Sequence, residues 1–401
     1  MNVSTTLSNP NSKDSPSQRL MQITPRPAAV MARGAGSWLW DEAGRRYIDC
    51  LQGWAVNALG HSAPEVTQAL AAQAQLLITP SPALHNRPQL EFAQLLTQLT
   101  GMDEVHFSNS GAEANEVAIK LARKWGRLHK AGAHHVISTH NGFHGRTLTT
   151  MAVSGKPGWD ALFPPYPSGF HKVAFGDLSA MAEAITDQTV AIMVEPVQGE
   201  AGVVVPPDGY LIGLRKLADE RNVLLIFDEI QTGIGRLGAF TASELFSVAP
   251  DIMTLGKGIG NGLPLSATLS TRAVSCFEYG DQGGTYNGNP LMTCVGQAVV
   301  EVVKQPEFLA HVTVMGECFR ERLMDLSGRF AVEEVRGFGL LNAVRLSKAN
   351  AVDIVQSAFE LGLLVNAARP DVLRFMPSLR ITQAELDVVF DRLRQAFELN
   401  T

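Results

Sequence analysis

Lys257, Asp228 and the pair Ser110–Gly111 are the residues of this chain that could do chemistry together. Lys257 stands in "LGKGIGNG", with Gly256, Gly258, Gly260 and Gly262 around it and the apolar run Ile252 to Leu255 in front. Glycines remove side-chain bulk and let another group approach the backbone closely. A lysine in such a turn can serve a phosphate-binding P-loop or act as an amine. The P-loop needs G-x-x-x-x-G-K followed by a hydroxyl residue. Asp251 occupies the position of the first glycine and Gly258 that of the hydroxyl, so the P-loop is excluded. An ordinary surface lysine in a glycine loop is the plain alternative to an amine. Asp228 and Glu229 end the apolar run "LLIFDEI". Strands often end in polar residues, but in a parallel sheet the carboxyl edge is also where ligands bind. The interval from Asp228 to Lys257 has room for one helix and one short strand, so an acid and an amine can meet at one edge. "SNSGAEAN" places Ser110 and Gly111 at a helix start, whose unpaired N–H groups and dipole attract an anion. An anion cradle, an acid and a lysine suit pyridoxal phosphate. The helix start takes the phosphate, the amine forms a Schiff base, and the acid keeps the pyridine nitrogen protonated.

Two other patterns carry less. "GIGRLG", Gly233 to Gly238, matches the dinucleotide fingerprint, but "DEIQT" separates it from the strand it should follow directly. His134, His135, His140 and His144 cluster without an H-E-x-x-H or comparable metal pattern, so hydrogen-bonded or solvated histidines are expected and no metal site.

The elements that must position these residues read as an α/β chain. "HVIST", "TVAIMVEP" and "NVLLIFDE" are short apolar strands, and helix-length segments such as Tyr210 to Arg221 separate several of them. That alternation predicts a mostly parallel sheet covered on both faces. Ala114, Val117, Ala118, Leu121 and Trp125 have helix spacing behind Ser110. "GSWLWDEAGRRYID" reads as a hairpin turning at Glu42 to Gly44. Beyond Pro290 the pattern changes to long amphipathic helices and short strands, ending in a helix that opens with a capping box at Thr382 and Glu385. The expected organisation is a disordered tail over 1–18, an N-terminal segment 19–62 packing with the small domain, a large domain over 63–290 and a small α+β domain over 291–401.

Composition sets bounds on partners. The chain has 401 residues, 45% hydrophobic and 18% charged, enough for more than one domain with a large core. A net charge of −6 gives no basic footprint for nucleic acid. Cys50, Cys276, Cys294 and Cys318 are scattered and form no C-x-x-C pair, which points to a reducing cytoplasm. No apolar run is long enough for a membrane span, and the polar N-terminus lacks the apolar core of a secretory signal.

The chain resembles the class III (omega) aminotransferases, pyridoxal-phosphate enzymes of fold-type I. The match runs from about Ser37 to the end through "GWAVNALGH", "SNSGAEANEVAIKLARKW", "FHGRTL", "EPVQGEAGV", "LLIFDEIQTGIGR", "PDIMTLGKGIGNGLPLSA", "GGTYNGNPL" and "LRFMPSL". The resemblance implies that Lys257 carries the cofactor and shuttles the proton, and that Asp228 pairs with the pyridinium nitrogen. It further implies that Gln231 bonds the ring oxygen and Phe143 stacks on the ring. Gly111 and Ala112 would donate to the phosphate beside Ser110. Thr285 would reach the phosphate of the neighbouring subunit, which implies a homodimer with shared sites. Arg146 would bind the α-carboxylate of a donor whose terminal amine reacts, and Arg374 that of glutamate or 2-oxoglutarate, in both cases through a bidentate fork. Glu200 would neutralise Arg374 while the donor is bound. The implied reaction is the arginine-biosynthetic transfer from N2-acetylornithine to 2-oxoglutarate. Ornithine, succinylornithine, 4-aminobutyrate or another omega-amine is the alternative donor, because Gly284 and the lack of an aromatic residue near Thr24 depart from the pattern at the substrate pocket. A catalytically silent scaffold with this fold is the reading from outside the enzymes, and it would need none of Lys257, Asp228 and Gln231.

Overall fold

The computed structural model describes residues 16–400. Of the tail expected over 1–18, residues 1–15 lie outside the described residues, and Pro16–Arg19 forms a short 3-10 turn. At the centre is a seven-stranded sheet. Its spatial order is Glu104–Ser108, Ser266–Ser270, Ile252–Leu255, Leu224–Asp228, Thr189–Val194, His135–Thr139, Phe170–Val173. The strand Ser266–Ser270 runs antiparallel to both of its neighbours, and the remaining pairs are parallel. The inner strands Thr189–Val194, Leu224–Asp228 and Ile252–Leu255 are buried along their whole length, as strands covered on both faces must be. The 19-residue helix Gly111–His129 covers one face through Ala118, Ile119, Leu121 and Ala122, and Tyr210–Arg221 covers the other through Tyr210, Leu211, Leu214 and Ala218.

A second unit is built on a four-stranded antiparallel sheet, with Leu341–Leu346 and Val372–Phe375 at its centre. Helices Pro306–Ser327 and Gln383–Glu398 share a core with it through Phe319, Leu323, Phe375, Leu386 and Phe390. The last helix is opened by a capping box between Thr382 and Glu385. The hairpin Trp38–Asp41 with Arg46–Asp49 is antiparallel, and its second strand pairs with Leu363–Leu364 of this unit. Trp38 Nε1 donates to Glu385 at 3.1 Å.

One division differs from the sequence expectation. Helix Pro290–Val303 buries Val295, Val299, Val300 and Val303 in the cluster that holds Leu255, Ile259 and Leu265. It therefore packs with the large sheet, and the core changes between Val303 and Val312, after the expected boundary at 290. The change in sequence pattern at Pro290 marks a helix start and not a change of core, because an amphipathic helix shows its apolar stripe whichever core it faces.

Candidate active site

Parallel pairing brings the chemistry to one edge. Asp228 is the last residue of its strand and lies opposite Thr254 of the next, so the turn carrying Lys257 emerges from the same carboxyl edge. Lys257 opens a 3-10 turn at φ 45°, a left-handed conformation that a side chain rarely adopts. Such strain is maintained only where surroundings over-determine it. Its Nζ has no hydrogen bond or ion pair among the described residues, and burial lowers its pKa below the ordinary lysine value, with Glu200 pulling upward and Arg374 downward. A lysine so placed gives up its proton more readily than one in water, which is what an amine nucleophile and proton carrier requires.

Asp228 is 3% exposed and closely surrounded. Asn115 Nδ2 and His144 Nδ1 each donate to its Oδ2 at 2.7 Å, and the Ile230 N–H donates to Oδ1 at 3.1 Å. Asn115 also donates to the His144 carbonyl and accepts from Thr254 Oγ1 at 2.8 Å. Burial lowers the His144 pKa, but the hydrogen bond and charge of Asp228, joined by Glu195, outweigh it and raise the value overall. Sequence reasoning grouped His144 with three other histidines and did not find Asn115, Thr254 or Glu195 at all. Asn115 had a signal: a polar residue within the apolar stripe of helix Gly111–His129, one turn past the glycine.

The start of that helix faces the same edge. Ser110 is the N-cap at φ −144°, and its hydroxyl accepts from the Glu113 N–H at 3.3 Å. The Ser110 carbonyl accepts from Ser266 Oγ at 2.8 Å, which fixes the cap to the sheet. The N–H groups of Gly111 and Ala112, in the first turn, have no acceptor within the helix. A Cβ on Gly111 would come within 2.7 Å of Ile230 Cδ1, two residues from Asp228, so a larger residue here would displace the Ile230 side chain.

At the opposite side Arg374 lies fully buried on the small sheet. Its Nη1 pairs with Glu200 Oε1 at 2.8 Å and donates to Gln231 Oε1 at 3.2 Å, while Nε and Nη2 share Asn366 Oδ1 at 3.1 and 2.9 Å. Trp54, itself at φ 67°, lies with its ring centre 5.7 Å from the guanidinium. Burial pushes the Glu200 carboxyl up, but Arg374, Lys257 and Lys156 together hold it below its ordinary value. Phe143 packs edge-on to Trp159 with ring centres 5.6 Å apart, and Arg146 lies exposed, 5.5 Å from the same indole. Gly284 and Thr285 stand on a turn where a Cβ on Gly284 would meet Asn287 at 2.6 Å, and Asn287 accepts from Asn109 at 2.8 Å. The Thr285 side chain is exposed and makes no hydrogen bond among the described residues. One chain thus brings Lys257, Asp228, Gln231, Glu200 and Arg374 together, places Ser110, Gly111 and Ala112 at the same edge, and leaves Arg146 and Thr285 at the rim.

Buried polar atoms test whether the residues suit pyridoxal phosphate. Gln231 Nε2 and His144 Nε2 are buried and have no partner among the described residues. Such atoms are costly unless something completes their bonding. With an anion cradle at one end, a buried carboxylate at the other and a partnerless lysine between, the donor set fits a phosphorylated pyridine.

Comparisons with known proteins agree on the class of this site. The family model described as aminotransferase class-III matches residues 22–397. Acetylornithine aminotransferase 2 of Bordetella pertussis is 52% identical over 377 residues, covering 93% of this chain and 95% of that one. The ornithine aminotransferase of Toxoplasma gondii, solved with partial occupancy of PLP at its active site, superposes with a TM-score of 0.90 at 36% identity, covering 95% of this chain and 92% of that one. The N-acetylornithine aminotransferase of Stenotrophomonas maltophilia K279a gives a TM-score of 0.82 at 35% identity, with coverages of 94% and 97%.

Proposed function

From the premise that the chain belongs to the class III aminotransferases and is a pyridoxal-phosphate-dependent enzyme, we propose that it transfers the terminal amino group of N2-acetylornithine to 2-oxoglutarate. The products are N-acetylglutamate 5-semialdehyde and glutamate, formed in two half-reactions through one site. The observation that carries the donor is the 52% identity to an acetylornithine aminotransferase across 93% of the chain. The geometry supports the two-substrate cycle, because Arg374 already has an internal carboxylate partner in Glu200.

When bound, pyridoxal phosphate supplies the carbonyl that receives the amino group and a ring that draws electrons from the substrate carbon. The N–H groups of Gly111 and Ala112, beside Ser110, hold its phosphate, and Thr285 of a second copy completes that cradle in a homodimer. Asp228 holds the proton on the ring nitrogen, and Asn115, His144 and Thr254 fix the carboxylate in the orientation this needs. Gln231 Nε2 is free to donate to the ring oxygen, and Phe143 covers one ring face. Lys257 Nζ takes up and returns the proton at the substrate carbon; its lowered pKa keeps more of it neutral at a given pH than an exposed lysine.

Arg146 binds the donor's α-carboxylate. Glu200 neutralises Arg374 during the donor half-reaction, and moves aside when the α-carboxylate of 2-oxoglutarate or glutamate arrives. Without that partner a buried guanidinium would face an uncharged chain, a cost of about 3–5 kcal/mol for an unpaired buried charge. No helix among the described residues is long and apolar enough to cross a membrane, and we place the enzyme in the cytoplasm.

The test is a panel of amino donors with 2-oxoglutarate, following glutamate formation by the purified, cofactor-loaded protein. N2-acetylornithine should give the highest kcat/KM. A higher value for ornithine would transfer the assignment to the reaction named for the Toxoplasma neighbour. Absence of turnover with every donor, despite bound cofactor, would leave the scaffold reading.

A further inference from the structure

Glu195 is a buried carboxylate that the roles above do not use. It follows the strand Thr189–Val194 directly and is 5% exposed. Its two oxygens take two different backbone donors: Phe143 N–H donates to Oε1 at 2.8 Å and Gly199 N–H to Oε2 at 3.2 Å. These donors belong to two separate functional segments. Phe143 lies on the loop after strand His135–Thr139, next to His144, and Gly199 immediately precedes Glu200. A Cβ at Gly199 would lie 1.6 Å from Gln231 Oε1, so any larger residue there would displace the Gln231 side chain. Gln198 ties the same two segments a second time, donating to Thr139 Oγ1 and to the His140 carbonyl at 2.9 Å each. An ordinary turn needs no buried acid to hold it, and a buried carboxylate is expensive unless its bonds are fixed. Burial, with Asp228 adding to it and His144, the Phe143 N–H and Lys257 opposing it, leaves the Glu195 carboxyl raised from 4.5 to about 7.

We propose that Glu195 is a positioning residue that clamps two segments at once, setting Phe143 against the cofactor ring and the Gly199–Glu200 turn against Arg374. The proposal rests on the reading of Phe143 and Glu200 given above. It does not make Glu195 a catalytic residue, because its oxygens are spent on backbone donors and it acts through its two neighbours. Glutamine in its place keeps the size but turns an N–H toward one of the two N–H donors, so one side of the clamp opens. Aspartate keeps the charge but cannot reach both donors.

Two double-mutant cycles test the clamp. The first measures pyridoxal-phosphate affinity of the apoprotein by absorbance titration, for Glu195→Gln, Phe143→Ala and the pair. Glu195→Gln should weaken binding about fivefold or more, and should add little once Phe143 is gone, since residues acting as one unit do not add. The second measures single-turnover rates with glutamate and with N2-acetylornithine for Glu195→Gln, Glu200→Gln and the pair. The ratio of the two rates should shift about tenfold in Glu195→Gln and shift no further in the Glu200→Gln background. A residue that merely supports the fold would lower both rates together and leave their ratio alone. Unchanged affinity and ratio, or full additivity in either cycle, overturns the clamp. If Glu200→Gln itself leaves the ratio unmoved, the role given to Glu200 falls, and the clamp is judged on the Phe143 cycle alone, where additive losses overturn it. Should Glu195→Gln fail to fold, Glu195→Asp takes its place in both cycles with the same expected couplings.

Discussion

Asp228 and Arg374 anchor opposite sides of one site, and they are held in different ways. Around Asp228 every partner belongs to the large sheet unit: Asn115 on the covering helix, Thr254 on the adjacent strand, and His144 from the loop after His135–Thr139. Arg374 belongs to the small sheet, yet two of its three partners, Glu200 and Gln231, come from the large unit. One of them, Glu200, is partly exposed, with 26% of its side chain accessible. The proposed cofactor side is therefore assembled within one core, and the proposed substrate side is assembled between two. A group fixed by buried partners on rigid strands keeps one geometry, and the partly exposed Glu200 at the seam is the carboxylate proposed to leave and return.

Mutations should separate the two sides. The largest effect belongs to Lys257→Ala, which on the proposed reading removes the amine and the proton carrier together. Turnover should fall by several orders of magnitude while the protein still binds pyridoxal phosphate through its phosphate and ring contacts. Near-normal turnover, measured with N2-acetylornithine and 2-oxoglutarate, would mean that another residue is the amine.

Next comes Asp228→Asn, for which both half-reactions should slow by a factor on the order of 10² or more, with weaker cofactor binding. Both substrates should lose alike, because this side of the site does not distinguish them. A loss confined to one substrate would mean that the Asp228 side also discriminates between them.

Arg374→Ala should be unequal by design. The KM for 2-oxoglutarate and glutamate should rise about 10²-fold, as expected when a charge-assisted carboxylate fork is lost, whereas N2-acetylornithine should change little if its carboxylate is held by Arg146 as proposed. Glu200→Ala should do the reverse and favour glutamate over N2-acetylornithine. Equal losses for both substrates in both variants would make Glu200–Arg374 a fixed strut.

The smallest effect is on stability and concerns Glu229, the sequence neighbour of Asp228. Its oxygens accept from Ala242 N–H at 2.5 Å and Ser243 N–H at 2.8 Å, at the start of helix Ala242–Phe246, so it serves the fold. Burial pushes its pKa up from 4.5 to about 7. The native state then binds this proton more tightly than the unfolded chain does. The contribution is fully present below the unfolded value and is lost as pH rises from about 4.5 to about 7, on the order of 3 kcal/mol at most. Melting temperature measured across that window should fall, and Glu229→Gln should flatten the fall while lowering stability by loss of one of its two contacts with the helix N–H groups. A steeper slope in the variant would count against this role.

Much of the fold was legible because it depends on local patterning. The alternation of apolar strands with helices announced the parallel sheet, the apolar run before Lys257 became strand Ile252–Leu255, and the Thr382–Glu385 capping box opened the last helix as read. The division at 290 was not legible, because the valines of Pro290–Val303 fit either core equally well in one dimension.

The sequence by itself determined which chemical groups are available and which edge could bring them together. Lys257 in its glycine turn, Asp228 at a strand end and Ser110–Gly111 at a helix start follow from residue type and local spacing, and those are short-range properties of the chain. Only the tertiary structure decided the environment of each group. Asp228 and Glu229 are adjacent and chemically alike, yet one receives Asn115 and His144 at the site and the other caps a helix, because successive residues at a strand end diverge to different neighbours. Glu195 reaches Phe143 and Gly199, and Arg374 reaches Glu200, across separations that no local pattern records. Burial, which moves the pKa of Lys257 down and of Glu195 up, is a property of the packed core, set by segments that lie far apart in the sequence.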